Sequence, residues 1–301
     1  MSEHLAEYRR FLERTLPADY AARYQDYRDD RALRTAFQAA SFDEGWLFPE
    51  WPRELGGRDL PLTEALTIRI AGAELRVPRH MNVQGAGVVG PALRNFGTPE
   101  QRERYLRPTL RGEAWWALGM SEPGAGSDLA GLRTTAVRVG EDFIVNGQKV
   151  WTTQADEARW CSLYVRTNPD APKHRGISCL LVDMDTPGIS VRPIRTAGPS
   201  VESFCEVFFD DVAVPASHLL GDLDGGWRVA VSALGHERDM IWVNNWLEMR
   251  RALAPVLADH DLAPHQLERV GRQHAHQEAG RLTGIRTAPA RVDGDADAVG
   301  G

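Results

Sequence analysis

Ser121 and Ser127 stand in a stretch that also holds Gly124, Gly126 and Gly131, directly after the apolar run Trp115-Trp-Ala-Leu-Gly-Met120. Glycine lets backbone N–H groups approach a ligand closely, and successive loop N–H groups form a concavity suited to anions. The two hydroxyls add groups that donate or accept. The chemistry on offer is the holding of a polar ligand at the end of a buried strand. On their own, such hydroxyls serve equally well as loop caps. A second concentration lies at Lys149-Val-Trp-Thr-Thr153, where an aromatic is followed by two hydroxyls. The usual fate of a strand tryptophan is the sheet core.

Other patterns carry less. Gly85-Ala-Gly-Val-Val-Gly90 is formally G-x-G-x-x-G, but Pro78-Arg-His-Met-Asn precedes it instead of an apolar strand. The acidic residue expected about 20 positions on is missing too, so the glycines read as helix-packing positions. His236, His265, His274 and His276 raise a metal reading. His274 and His276 are two apart on a helical segment and do not share a face, and no further ligand follows at site-like spacing. The acidic run from Asp293 to Asp297 lacks the spacing and closing Glu of a calcium loop.

The chain has 301 residues, enough for two or three compact units, with 43% hydrophobic and 26% charged residues. A net charge of −7 gives no reason to expect nucleic acid or an anionic membrane as partner. Cys161, Cys179 and Cys205 are odd in number and lie in apolar runs, which reads as buried inert thiols. No apolar run reaches the ~18–20 residues of a membrane span, and the N-terminus lacks a basic region followed by an apolar core. A cytoplasmic protein is expected.

The elements that must position these residues follow from periodicity. Leu5, Tyr8, Leu12 and Leu16 recur at helical spacing until Pro17, and Ala32 to Asp43 repeats the pattern. A Pro- and Gly-punctuated loop from Gly45 to Gly57 carries Trp46 and Trp51. Thr63 is placed as the N-cap of the next helix, and Thr98-Pro-Glu-Gln101 opens another. Beyond Gly131 the period changes. Thr134 to Val139 alternates, Gly140-Glu-Asp142 turns, and Phe143-Ile-Val145 runs into Asn146-Gly147, a hairpin signal. Short runs at 160–165, 177–184, 189–194 and 204–209 complete an antiparallel sheet, a small barrel or sandwich. Gly225 to Val256 is helical again, and another helix is expected near Leu262 to Leu282. From Arg286 to Gly301 large apolar side chains almost vanish, so a tail is expected. The fold class is α+β: a helical domain at 1–114, a middle β domain at 115–223, a partial C-terminal helical domain at 224–285 and a disordered tail at 286–301.

Gly119-Met-Ser-Glu-Pro-Gly-Ala-Gly-Ser-Asp-Leu-Ala-Gly131 resembles, without a break over thirteen positions, the first sequence motif of the acyl-CoA dehydrogenases. The Trp-Pro-Gly segment at 45–57 and the order helices, sheet, helices resemble that family as well, over roughly residues 5 to 285. The resemblance implies FAD as cofactor and an acyl-CoA or acyl-carrier thioester as substrate, dehydrogenated to the trans-2-enoyl thioester. An electron-transfer flavoprotein or another acceptor takes the electrons. By the same resemblance Leu118, Met120, Ser121, Gly126 and Ser127 cradle the flavin, and Ser127 also faces the substrate. Trp151, Thr152 and Thr153 match the family's Trp-x-Thr/Ser triplet at the flavin. Leu234-Gly-His-Glu-Arg238 resembles the Leu-x-x-Glu-Arg motif of the isovaleryl type, which makes Glu237 the candidate base and places Arg238 at the substrate. Read alone, Glu237 is a helix-surface carboxylate paired one turn away.

The sequence departs from the family at Gly235, where several members carry an acidic CoA contact, and in having no Arg-x-x-Phe-Gly element. About two helices stand where the family has a four-helix bundle. The chain therefore reads as a C-terminally shortened member, or as one that needs a partner to supply those parts. Homo-oligomers and hetero-oligomers with a related subunit both fit. A half-site or non-catalytic subunit and a flavin monooxygenase or oxidase on the same scaffold are the alternative functions.

Overall fold

The computed structural model describes residues 2–27, 29–198, 202–258 and 262–292, the side chains of 237–241 and 287–292 excepted. Helix α1 (Glu3–Thr15) begins where the Ser2 hydroxyl accepts the Leu5 N–H, and α2 (Arg31–Asp43) where the Asp30 carboxylate accepts from Leu33. Helix α3 (Leu62–Glu74) corrects one expectation. Its N-cap is Pro61, and Thr63 lies inside the first turn, its carbonyl accepting the Thr67 hydroxyl. Proline at a helix start forgoes an N–H that would have been orphaned anyway. Helical segments 85–96 and 99–110 each contain a π turn, Gly85–Val89 and Arg102–Leu106. The second opens on Thr98 and Gln101, which cap each other reciprocally.

Strands follow as β1 (Trp116–Gly119), β2 (Thr135–Val139), β3 (Asp142–Thr153), β4 (Trp160–Arg166), β5 (Ile177–Asp183), β6 (Ile189–Pro193), β7 (Phe204–Pro215) and β8 (Leu219–Leu220). Among the described residues they form one sheet in the order β6-β7-β3-β2-β4-β5-β8, with β1 parallel on β4. Helices α4 (Gly226–Leu257) and α5 (Pro264–Val292) come last.

Two expectations fail here. No hairpin forms at Asn146-Gly147. β3 runs straight through, with a register shift against β7 between Val145 and Gly147, and the turn lies at Gly140. Glycine is required at 147 for a different reason: an added Cβ would sit 2.5 Å from Thr134 Oγ1, so the residue allows β3 to lie close beside the chain entering β2. The C-terminal helix also outlasts its expected end, continuing to Val292 although Gly284 and Pro289, both poor helix formers, lie in that stretch. Of the expected tail, residues 293–301 lie outside the described residues.

The chain packs as two compact units, Met1–Arg79 with Gly235–Gly301, and His80–Leu234. In the first, Tyr8, Phe11, Phe37, Trp46, Leu60 and Ile68 form a core, and Phe48 stacks on Trp51 at 4.5 Å. The loop at 45–57 is thus pinned by aromatic burial, as its composition implies. In the second, Phe143, Val145, Leu163, Leu180, Val207 and Val214 fill one side of the sheet. Gly85 and Gly90 serve helix packing, since Cβ atoms there would meet Asn82 Oδ1 at 2.5 Å and Leu110 at 2.8 Å. All three cysteines are buried and free. Among the described residues no helix is long and apolar enough to cross a membrane, and no cluster of His, Cys, Asp or Glu could hold a metal.

Candidate functional site

Strand β1 ends at Gly119, where its neighbour leaves no room for a side chain. An added Cβ would lie 2.7 Å from Leu163 and 3.0 Å from Cys161 Sγ on β4. The chain then leaves the sheet, and Glu122 and Ala125 close a tight turn with N–H···O bonds of 2.8 and 3.1 Å. Ser121 does not drift away from the sheet: its carbonyl accepts the Val150 N–H of β3 at 2.9 Å. The predicted loop and the predicted Trp-Thr-Thr triplet are therefore brought together at one point of β3.

The glycines of the loop divide into two kinds. Gly131 is close to Asp128, whereas a Cβ on Gly124 or Gly126 would meet nothing within 4 Å. Neither of these two has a positive φ. The packing of this chain does not require glycine at either position, and the space beside them is available to something else. Ser127 and Gly126 are exposed, Ser121 and Leu118 half-buried, and Met120 buried.

On β3 the ladder to β7 slips by one residue between Lys149 and Thr152, a β-bulge. Within it Trp151 has φ 58° and its side chain is 58% exposed, its ring edge-on to Phe204 at 6.2 Å. A bulky residue in left-handed backbone is an outlier, and such residues cluster at functional sites. Thr152 is turned inward, and its buried Oγ1 finds no hydrogen-bond partner among the described residues. Thr153 is half-buried.

Sequence reasoning missed the charges beneath this loop. Lys149 is fully buried, and its Nζ donates to Glu122 Oε1 at 2.8 Å and to the Met120 carbonyl at 3.1 Å. The Glu122 carboxylate also accepts the N–H groups of Arg133 at 2.7 Å and Thr134 at 2.9 Å. Burial raises the Glu122 carboxyl, but the Lys149 charge and these hydrogen bonds outweigh it and hold the group below the ordinary carboxylate value. Burial pulls the Lys149 ammonium below its usual value, with Glu122 opposing. Three donors converge on the Glu122 carboxylate and favour its charged form. One signal in the sequence pointed to it: Phe143, Val145 and Lys149 occupy inward positions of one strand, and a charge there demands a buried partner.

A cleft of about 310 Å³ is lined by Glu122, Pro123, Gly124, Arg133, Thr134 and Gln148 among others. It does not include Ser121 or the Trp151 triplet. Glu237 and Arg238 belong to α4 in the other compact unit, and their side chains lie outside the described residues. The preceding residue, His236, sits edge-on to Phe48 at 5.6 Å, which ties this turn of α4 to the loop at 45–57.

Residues 2–113 match the profile of the acyl-CoA dehydrogenase N-terminal domain, and residues 117–212 that of the middle domain. The acyl-CoA dehydrogenase FadE34 of Mycobacterium tuberculosis is 44% identical over 259 residues, 85% of this chain. This chain spans only 36% of the length of FadE34. The solved structure of the Tcur3481-Tcur3483 steroid ACAD is 32% identical with a TM-score of 0.77, covering 97% of this chain and 76% of that one. The ChsE4-ChsE5 complex from Mycobacterium tuberculosis is 30% identical with a TM-score of 0.75, covering 97% and 77%. Two matched domains in tandem, and likeness over most of the chain to solved members, leave one conclusion: the chain belongs to the acyl-CoA dehydrogenase family.

Proposed function

We propose that this chain carries out the FAD-dependent α,β-dehydrogenation of an acyl thioester, either an acyl-CoA or an acyl group on a carrier protein. The supporting observation is the junction of the loop at 118–127 with β3. On the β3 side stand an uncovered indole held in strained backbone and a buried hydroxyl without a partner among the described residues, and on the loop side two glycines beside open space. FAD is the cofactor of this family, and these features suit a flat polar ring with a phosphate tail. The acceptor for the β-hydride of the thioester would be supplied by FAD when bound; the remaining work belongs to the chain. Ser121 and the backbone at 118–127, with Leu118, Met120 and Gly126, hold the ring and phosphates. Ser127 faces the phosphates and the substrate. Trp151 covers one face of the ring, Thr153 directs its hydroxyl to the ring edge, and Thr152 stands between them as part of the same cofactor segment. Glu237 takes the α-proton, and Arg238 lines the thioester channel. A carboxylate excluded from water has its pKa raised toward neutrality, which suits a base.

The decisive experiment is an anaerobic titration of the purified yellow protein with a panel of acyl-CoA thioesters, straight-chain, branched and steroid-derived. The steroid in the name of one solved relative earns that last class a place in the panel. Bleaching of the flavin band by at least one member is expected, with an electron-transfer flavoprotein restoring it. Glu237→Gln should slow the bleaching by about 10²–10⁴-fold, the usual contribution of a general base. Unchanged bleaching by that variant would remove Glu237 from the role. Reoxidation by O₂ that yields a hydroxylated product would point instead to a monooxygenase.

A second reading is supported by the two-chain ChsE4-ChsE5 relative. In it this chain is one subunit of a hetero-oligomer and acquires flavin only when a related subunit is co-expressed. A colourless chain that turns yellow on co-expression would favour it.

A further inference from the structure

We propose that Lys149 and Glu122 are a positioning pair: their buried ion pair latches the base of the ligand loop to β3 and presets the spacing between Ser121 and Trp151 before any ligand arrives. The identity of the ligand rests on the flavin reading above; the latch itself does not.

Lys149 Nζ donates to the Met120 carbonyl as well as to Glu122, so it grips the arm of the loop that leaves β1. Glu122 accepts from the Arg133 and Thr134 N–H groups, so it grips the arm that returns toward β2. One ion pair therefore closes both arms of the loop, about a dozen residues apart, against a single point of β3. The next residue along that strand, Val150, donates its N–H to Ser121, and Trp151 follows. The tip of the loop is built in the opposite way: Gly124, Gly126 and Ser127 are exposed, and the two glycines face open space. A fixed base and an uncovered tip are what a preorganised binding loop needs.

Stability alone does not account for the choice of residues. Taking two charges out of water is costly, and an apolar pair of similar volume at such a place is often as stable or more so. What charges add is direction. Three donors at defined angles meet one carboxylate, and an ammonium reaches a named carbonyl, so the loop has one docked geometry where an apolar contact would admit several. Met120 and Thr134 are themselves buried, which leaves little room for the arms to slide.

The test uses the full chain. Lys149→Met and Glu122→Gln are made singly and together, and the apoprotein is titrated with FAD. The double variant removes both charges and so leaves no buried charge unpaired. It is expected to keep its unfolding midpoint within a few degrees while its Kd for FAD rises at least tenfold, with an altered visible circular dichroism of the bound flavin. A double variant that binds FAD within twofold of the parent would overturn the proposal. Amide exchange on the unaltered apoprotein decides the matter even where the variants fail to fold. Arg133 and Thr134 are expected to exchange with the slow rate of Val150, because one latch protects all three. Exchange at 133 and 134 at least a hundredfold faster than at 150 would sink the latch. If the unaltered protein takes up no FAD, the dehydrogenase reading fails, and the exchange data still judge the pair.

Discussion

Trp151 holds φ 58° with most of its ring in solvent, a conformation that costs about 1–3 kcal/mol without the usual return from burial. Thr152, next to it, keeps a buried hydroxyl with no partner among the described residues, and such a group costs roughly 1–3 kcal/mol relative to a satisfied one. Two adjacent residues that both oppose folding make sense where a ligand repays them. Thr152→Val replaces the hydroxyl by a methyl of similar size. It should leave the apoprotein equally stable, or more stable by about 1 kcal/mol in urea unfolding, while weakening FAD binding. A loss of apoprotein stability in that variant would mean that the hydroxyl serves the fold.

At the scale of elements, the site depends on how the sheet is buttressed. Gln101, at the head of helical segment 99–110, donates to the carbonyls of Ser217 and Leu219 at 2.9 Å each, holding the β7–β8 connection. His218 between them is half-buried, with Nδ1 2.9 Å from the Leu181 carbonyl and Nε2 3.3 Å from the Tyr105 hydroxyl. A carbonyl only accepts, so Nδ1 carries the proton and Nε2 accepts from Tyr105, the arrangement of a neutral imidazole. Burial pushes the His218 pKa below its ordinary 6.5; the Leu181 bond and Asp183 oppose this and Arg104 adds to it. The unfolded chain then binds more protons than the folded one just below pH 6.5, so stability falls as the pH drops through that value. The fall ends once the folded His218 is itself protonated. Unfolding midpoints measured from pH 8 to 5 should show this slope, and His218→Asn should flatten it. An identical slope in the variant would assign it to other groups.

At the scale of the molecule, both ends of the chain contribute to one compact unit. Arg251 of α4 donates to the carbonyls of Ala73 and Glu74, which end α3, and an added Cβ on Gly284 of α5 would lie 2.4 Å from the Trp242 ring. The last carbonyls of a helix have no intrahelical donor, and a cation there also complements the helix dipole. Arg251→Ala should therefore lower the urea stability by about 1 kcal/mol. Arg250→Ala should cost less than about 0.5 kcal/mol, because its pair with Glu74 is exposed and 3.4 Å long. Equal effects from the two would contradict this account.

Sequence alone determined whatever is local. The cap at Thr98, the apolar strand before Gly119, the buried thiols and the order helices, sheet, helices follow from period and from short-range sterics. The thirteen-residue loop and the Trp-Thr-Thr triplet were legible because each is contiguous. Tertiary structure decided what depends on distant partners. Asn146-Gly147 has the composition of a hairpin, yet the strand continues there in its ladder with β7, and Thr134 beside it is what requires the glycine. The bulge that turns Trp151 outward arises from register with β7, which no window around residue 151 contains. Lys149 acquires its meaning only from Glu122, twenty-seven positions away, since a buried charge is tolerated only where the fold delivers its counter-charge. Propensities act over a few residues, whereas desolvation and register act through space, and the second kind shapes the surface that a ligand meets.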